Sequence, residues 1–407
     1  MEIIRDPIWN NIRVDAVALE LVDTPVFQRL RYVRQLGLAY FVYPGATHTR
    51  FEHALGAYHL CRIAVALIRE RGELSDIPDD ECTITSIAAL LHDVGHYPFS
   101  HALEEIGATH HEEVAHHLIT TGQIATILRN SFGSDAPDRI IALIRGRSTS
   151  SLQGLISGSL DLDKIEYLKR DAHMCGVAYG EIDVDRLINS LVLVHDPETE
   201  RTSVGVAEKG LSALESLLFA KYQMYRNVYW HHAVRSATAM YKHIVEDACT
   251  SGALTQDQLV AFTDEGLLYY LAERAPTQLL GALRNRHLYK RVAEWPASEL
   301  VTGFGEWIGN DRARTFAAED RIARELGLEP GDILLDYPEK TQMLGLDIPV
   351  HRRDGTVERL TERGIGGAIN LPRLSQELYQ SARWMRVFAI RKVEVDAGRI
   401  AALLRAS

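Results

Sequence analysis

From Val22 to about Asp247 the apolar residues recur at helical spacing, separated by short polar breaks. Thr24-Pro25 reads as a helix start, with Phe27, Leu30, Arg31, Arg34 and Gln35 following at turn-like intervals until Pro44-Gly45. From Thr49 another helix carries Phe51, Leu55, Tyr58, Leu60, Ile63, Ala64 and Leu67 on its apolar side. The segment SIAALLHDVGHYPFSHALEEIG predicts a helix ending at His92-Asp93, interrupted at Gly95 and Pro98, and restarting behind Ser100 as its N-cap. Glu112 to Leu128 and GSLDLDKIEYLKRDAH predict further helices. LSALESLLFAKYQMYRNVYWHHAVRSATAMYKHIVEDA predicts one long helix. Past residue 255 two shorter helical stretches lead to HLYKRVAEW, ILLDYP, IPVHRRDGTVERL and RWMRVFAIRKVEV, which alternate as strands, and Asp354-Gly355 is a hairpin signal. The expectation is a mainly α chain, with a helical core over 1–250 and an α+β accessory or oligomerisation region over 251–407.

Charge narrows the function classes: 44 Lys+Arg against 55 Asp+Glu give −11, which argues against stable nucleic-acid binding. With 46% apolar and 24% charged residues the composition is globular. No run approaches the roughly 20 apolar residues of a membrane span, and MEIIRDPIWNN lacks the basic and apolar regions of a signal peptide, so the expectation is a soluble cytoplasmic protein. Cys61, Cys82, Cys175 and Cys249 contain no C-x-x-C pair and are expected to be buried thiols.

Histidine changes the picture most. Ten of the 17 lie between His48 and His117. His53 is separated by 38 intervening residues from the adjacent pair His92-Asp93, with His96 close behind, so separate helices would bring two imidazoles and a carboxylate together. A second carboxylate must come from downstream, with Asp163 the best placed and Asp161 its competitor. Such an N/O set suits Fe, Mn, Zn or Ni rather than a thiolate-preferring metal. It would make bound water nucleophilic near neutral pH and polarise a phosphoryl oxygen. Single histidines are more often hydrogen-bonded core residues, the reading taken for His59, His173 and His243, while His116-His117 reads as a solvated helix face.

The segments DPIWNNIRV, DTPVFQRLRYVRQLGLAYFVYPGATHTRFEHALG, LLHDVGHYPFSHALE, THHEE and DLDKIEYLKRD together resemble the HD-domain phosphohydrolases, in the branch of deoxynucleoside triphosphate (dNTP) triphosphohydrolases. The resemblance covers about residues 1–250 and is dense over 20–175. It implies an all-helical core in which His53, His92, Asp93 and Asp163 hold a divalent ion, with a second Mg or Mn ion left open. It further implies that Arg50 meets the substrate phosphates, the alternative being a surface ion pair. His96, His101 and His111 match phosphate-side histidines, His101 being the general acid with Glu104 one turn away to orient it. Glu112 would support His111 or the metal's water. Lys164, Tyr167, Asp171 and Arg226 align with phosphate, sugar and base-side contacts, and Gln35-Leu36 with a pair beside the sugar; for Tyr167 and Leu36 a plain core role is the alternative.

The resemblance also implies a homo-oligomer, dimer or tetramer, in which Asp23, Gln28 and Arg31 read a guanine nucleotide effector at a subunit junction. The alternative is an ordinary helix capped by Asp23, with the two longer side chains solvated. One segment departs from the pattern: where the animal branch has a histidine and a tyrosine four residues later, this chain has Trp230 and Val234, with Tyr229, His231 and His232 nearby. That leaves the base and sugar preference open. The leading expectation is hydrolysis of a dNTP to deoxynucleoside and triphosphate. A phosphodiesterase or phosphomonoesterase acting on another nucleotide or a nucleic-acid end is the second, and a non-catalytic nucleotide sensor the third.

Overall fold

Thr49 and Glu52 close the N-terminus of a 21-residue helix, Arg50–Glu70, as a capping box. That helix packs against Asp79–Leu91, whose first turn carries Asp79, Asp80 and Glu81 against the positive end of the helix dipole, and against Leu162–Cys175. In the computed structural model, residues 1–301, 303–338, 347–361, 364–365 and 370–405 are described. The protein is mainly α, a helical core with a C-terminal α+β region. No helix among the described residues is long and apolar enough to cross a membrane.

Three small sheets accompany the helices. Glu2–Asp6 and Asn10–Val14 form an antiparallel hairpin whose turn is pinned by Asp6 Oδ1, accepting from Ile8 N and Trp9 N at 2.8 Å each. Leu191–Asp196 and Arg201–Ala207 pair antiparallel, and Arg201–Ala207 continues parallel into Ile348–His351, which pairs with Val357–Leu360 across the Asp354-Gly355 turn. One sheet therefore draws strands from both sides of residue 250. The third sheet has Trp384–Ala389 at its centre between Lys290–Pro296 and Ile333–Asp336, all antiparallel. Helix His232–Thr250 covers one face, and Arg312–Glu325 with Ala397–Arg405 covers the other.

Several local expectations are corrected. Helical spacing concealed the strands Leu191–Asp196 and Arg201–Ala207, and the N-terminal hairpin lies ahead of the segment read for periodicity. The long helix after Leu211 is broken: Leu211–Met224 passes into a π-helical turn, Tyr225–Tyr229, and Trp230 leaves the helix before His232–Thr250 begins. Glu112 to Leu128 is two helices, His111–Thr120 and Gly122–Phe132, because Thr121 is extended and Gly122 has a φ of 65°. Thr24, not Asp23, caps Pro25–Gln28, its hydroxyl accepting from Phe27 N. Cys61 and Cys82 are buried, but Cys175 and Cys249 are only partly so. His173 is exposed in the last turn of its helix.

Candidate active site

His53 enters from the first turn of Arg50–Glu70, His92 and Asp93 from the end of Asp79–Leu91, and Asp163 from the first turn of Leu162–Cys175. His53 Nε2 lies 3.0 Å from Asp163 Oδ1, 3.3 Å from His92 Nε2 and 3.5 Å from Asp93 Oδ2. His92 Nε2 lies 3.3 Å from Asp93 Oδ1 and 3.5 Å from Asp163 Oδ1. Asp161 is turned elsewhere: it accepts from Lys164 N at 3.0 Å as the N-cap of its helix and pairs with Lys164 Nζ.

The protons on the two rings follow from their other bonds. His92 Nδ1 is 2.8 Å from Ala89 O, which can only accept, so the free lone pair is on Nε2. His53 Nδ1 is 2.6 Å from Glu166 Oε2. Burial pushes the Glu166 carboxyl up, but Arg170 and His53 outweigh it and keep it ionised, so a neutral His53 keeps its proton on Nδ1 and has its lone pair on Nε2. Metal bonds of about 2.0–2.1 Å put neighbouring ligand atoms roughly 3.0–3.4 Å apart. The observed 3.0–3.5 Å spacing is close to this range, and ligand atoms of His53, His92 and Asp93 lie within 4.8 Å of one another, a group that could hold a metal ion, with Asp163 Oδ1 against both rings.

Electrostatics fit the same ion. Asp6, Glu166, Asp93 and Asp163 carry four negative charges, while Arg170 and Arg50 supply two positive ones, leaving the charge of one divalent cation unmatched. Burial disfavours a charged His53, yet Asp163, Glu166 and Asp93 raise its pKa to about 10. His92 is raised against burial by Asp93 and Asp163. Burial likewise pushes Asp93 up, and Arg50, His92 and His96 hold it well below the usual carboxylate range. Asp163, at 35% side-chain exposure the most accessible of the four, is the open side of the quartet.

A second group of imidazoles adjoins through Asp93. His96 Nδ1 is 3.1 Å from Asp93 Oδ1, and its ring stacks on His111 with centroids 3.9 Å apart. Glu104 accepts from His111 Nδ1 at 2.8 Å and from His101 Nδ1 at 3.2 Å. Ligand-type atoms of His96, His101, Glu104 and His111 lie within 4.8 Å of one another. Burial lowers His96 well below its usual pKa, with Arg50 adding to the effect, and burial lowers His111 too. Burial pushes Glu104 up, but His101 and His111 overcome this and keep its carboxyl strongly ionised. Glu112 lies beside His110 and His111, while the hydrogen bond to the His111 ring comes from Glu104.

Arg50 is buried rather than at the surface, its Nη1 2.6 Å from Asp93 Oδ2 and its Nε 3.2 Å from Ser100 Oγ. Ser100 caps nothing. It and Phe99 both have positive φ, 61° and 58°, and its hydroxyl meets Arg34 O at 2.8 Å. Such backbone persists where surroundings over-determine it. Arg29 Nη2 donates to His96 O at 2.7 Å, and Asp264 Oδ1 accepts from Phe99 N at 2.8 Å, clamping the loop from two sides.

Sequence reasoning missed the support behind His53. Glu166 also accepts from Trp9 Nε1 at 2.9 Å and Arg170 Nε at 2.8 Å, and Arg170 reaches Asp6 at 2.9 Å. Gly56 admits that carboxylate, since a Cβ there would stand 2.1 Å from Glu166 Oε1. The available signal was spacing: Glu166 follows Asp163 by three, and Gly56 follows His53 by three.

The remaining candidates are spread around this centre. Asp171 accepts from Tyr229 Oη and pairs with His48 Nε2, both at 2.7 Å. Tyr167 packs edge-on to Tyr229. Gln35 is buried, with Oε1 lacking a hydrogen-bond partner among the described residues, and Leu36 packs on two apolar clusters. Arg226 is exposed and donates to Tyr222 Oη at 2.6 Å. Trp230 is a core residue, edge-on to Tyr225 and Tyr379, and Val234 packs with Ala39 and Ala46. Gln28 Nε2 donates to Val22 O, Arg31 Nε donates to Gln28 Oε1, both at 2.8 Å, the Arg31 guanidinium lies over Phe51, and Asp23 is exposed.

Known proteins match this arrangement. The HD domain matches residues 50–171 and the HD associated region residues 182–364. An uncharacterised protein of Methanocaldococcus jannaschii is 33% identical over 83% of this chain and 69% of its own length. The deoxynucleoside triphosphate triphosphohydrolase SAMHD1 of Homo sapiens is 28% identical over 65% of this chain and 46% of its own length. A hypothetical protein from Aquifex aeolicus shares the fold with a TM-score of 0.74 and 27% identity, covering 99% of each chain. With both regions matched and relatives that include dNTP triphosphohydrolases, the chain belongs to the HD-domain phosphohydrolase superfamily.

Proposed function

We propose that this chain hydrolyses dNTPs to the deoxynucleoside and inorganic triphosphate, using a divalent Fe, Mn, Zn or Ni ion held by His53, His92, Asp93 and Asp163. The observation that carries the reading is the twofold negative excess around these ligands, joined through Asp93 to an imidazole group gathered on Glu104. When bound, the ion supplies a Lewis acid and lowers the pKa of water. Arg50 and Lys164 offer the cations for the phosphates, Arg50 with a planar fork suited to two oxygens. His96 and His111 are kept neutral by burial, and with their Nδ1 protons given to Asp93 and Glu104 each leaves Nε2 as a proton acceptor beside His101.

His101 is the general acid in this reading. Glu104 holds its Nδ1, and its Nε2, 3.5 Å from His96 Nε2, gives the proton to the departing 5′-oxygen. Gln35, Leu36, Tyr167, Asp171 and Arg226 serve the sugar and base side. Relatives bearing the triphosphohydrolase name support the substrate class. Incubating the metal-loaded protein with each dNTP and NTP and reading products by phosphorus NMR tests this. Triphosphate is the expected product; pyrophosphate or orthophosphate would transfer the site to diesterase or monoesterase chemistry, and no product would make it a sensor.

The joined side chains of Gln28 and Arg31, with Asp23 exposed, support a nucleotide effector site in a homo-oligomer. Light-scattering mass and initial rate should then rise together across a dGTP or GTP titration and not in Arg31→Ala. A constant mass with Arg31→Ala fully active would remove the effector.

A further inference from the structure

Arg386 stands on the central strand Trp384–Ala389, in register with Glu294 on one neighbour and Asp336 on the other. Phe388, two residues on and so on the same face, packs with the apolar side of helix His232–Thr250. Arg386 therefore faces that helix, where Asp336 binds Arg235 of its first turns at 2.5 Å. The Arg386 side chain is 6% exposed, and its Nε and Nη1 have no hydrogen-bond partner among the described residues.

The surrounding charges do not balance. Glu294 is 3.5 Å from Arg386 but is held at 2.6 Å by Arg291. Asp336 and Glu105 are shared by Arg235 and Lys242, at 2.5 and 3.7 Å for Asp336 and at 2.7 and 3.0 Å for Glu105. Three carboxylates serve four cations, and the buried guanidinium of Arg386 has the weakest share, since Glu294, its nearest carboxylate at 3.5 Å, is held more closely by Arg291. A buried cation in that state is costly unless an anion joins it.

The start of the same helix lies within electrostatic reach of Arg386 and Arg291. His231 Nδ1 accepts from Ala233 N at 3.2 Å as the N-cap of the 19-residue helix, so its neutral ring carries the proton on Nε2. The helix N-terminus adds aligned N–H dipoles. Burial, His232, Arg386 and Arg291 together push His231 down to about 4, and burial with Arg291 and Arg386 lowers His232. Arg291, 39% exposed in its side chain, forms the solvent side.

We propose that Arg386, Arg291, His231 and the N-terminus of helix His232–Thr250 form a binding site for a phosphate group, built from residues outside the metal quartet and its imidazole neighbours. Arg235 connects it to Glu105, the residue next to Glu104.

The test is calorimetric titration and thermal melting of the full-length, metal-loaded protein with inorganic phosphate, inorganic tripolyphosphate or dGTP as probe, at constant chloride. At least one probe should bind saturably and raise the melting temperature. Arg386→Gln should weaken that binding at least tenfold without lowering the melting temperature in anion-free buffer, because it removes an unbalanced charge; Arg291→Gln should weaken it several-fold. Binding at the metal quartet is common to all three proteins, so the difference between them reads this site. Phosphate alone sufficing identifies free phosphate, and a requirement for tripolyphosphate or dGTP identifies a polyphosphate ligand, either of which supports the site. Wild-type affinity for every probe in Arg386→Gln, or in Arg291→Gln should the first variant not fold, would overturn the proposal. So would a lowered melting temperature in Arg386→Gln with its anion response intact.

Discussion

Two groups of imidazoles share Asp93, and their surroundings are opposite. Around His53 and His92 carboxylates are in excess: Asp93 and Asp163 raise both rings' affinity for positive charge, and Glu166 adds to that of His53. In the second group Glu104 accepts from His101 and His111 while His96 turns to Asp93, and burial drives His96 and His111 toward neutrality. The same side chain is thus prepared for two tasks by what it faces. Where carboxylates dominate, imidazole nitrogens converge at metal-ligand spacing; where imidazoles dominate, His96 and His111 are held neutral with their Nδ1 protons on Asp93 and Glu104.

The largest expected effect probes the second group. His101→Ala should keep its metal and slow turnover by roughly a hundredfold to ten-thousandfold, the range for losing a general acid. Single-turnover rates measure it. A near wild-type rate would shift the acid to His96 or His111 and blur the contrast between the groups.

Next comes the carboxylate that sets the first group. Glu166→Gln retains the shape but removes the charge that keeps the His53 proton on Nδ1, and should weaken metal binding about 10–100-fold, as loss of a ligand's orienting partner does. Gly56→Ala should act in the same direction by crowding the Glu166 carboxylate. Competition with a chelator reads both. Unchanged affinity in either would mean that His53 is oriented without Glu166.

The smallest effect comes from a balanced case. His243 has one carboxylate partner, Glu319, at 2.9 Å, and although burial lowers its pKa, Glu319 raises it overall. A pKa raised on folding contributes stability that is fully present below the unfolded value of about 6.5 and is lost as pH rises through the folded one. The stability gap between wild type and His243→Gln should therefore narrow as pH climbs above about 6.5 in urea melts. A gap that widens with pH would reverse the assignment of charge to this pair.

Local signals made much of this legible from sequence. Thr49 and Glu52 mark a helix start, Asp354-Gly355 marks a hairpin, and the His92-Asp93 pair marks the end of an apolar helix. What stayed hidden depends on distance along the chain. Glu166 meets Trp9 across 157 residues and His53 across 113, contacts that no periodicity encodes. Ser100 looked like a cap because its residue type is a good one, yet its hydroxyl is held by Arg34 O and the Arg50 guanidinium. The π turn at Tyr225–Tyr229 escaped because an inserted residue leaves the apolar spacing nearly helical. Asp163 was the better placed of two candidates by sequence, and the helix start gives the reason: Asp161 caps the helix, and Asp163 turns toward His53 and His92.

The central claim is that the carboxylate-rich group holds the metal and the imidazole-rich group does not. Elemental analysis of Asp93→Ala and His101→Ala, purified side by side with the wild type, tests it directly. Loss of most of the ion from Asp93→Ala with wild-type content in His101→Ala is the predicted result. Wild-type stoichiometry in Asp93→Ala, or loss of the ion from His101→Ala, would contradict it.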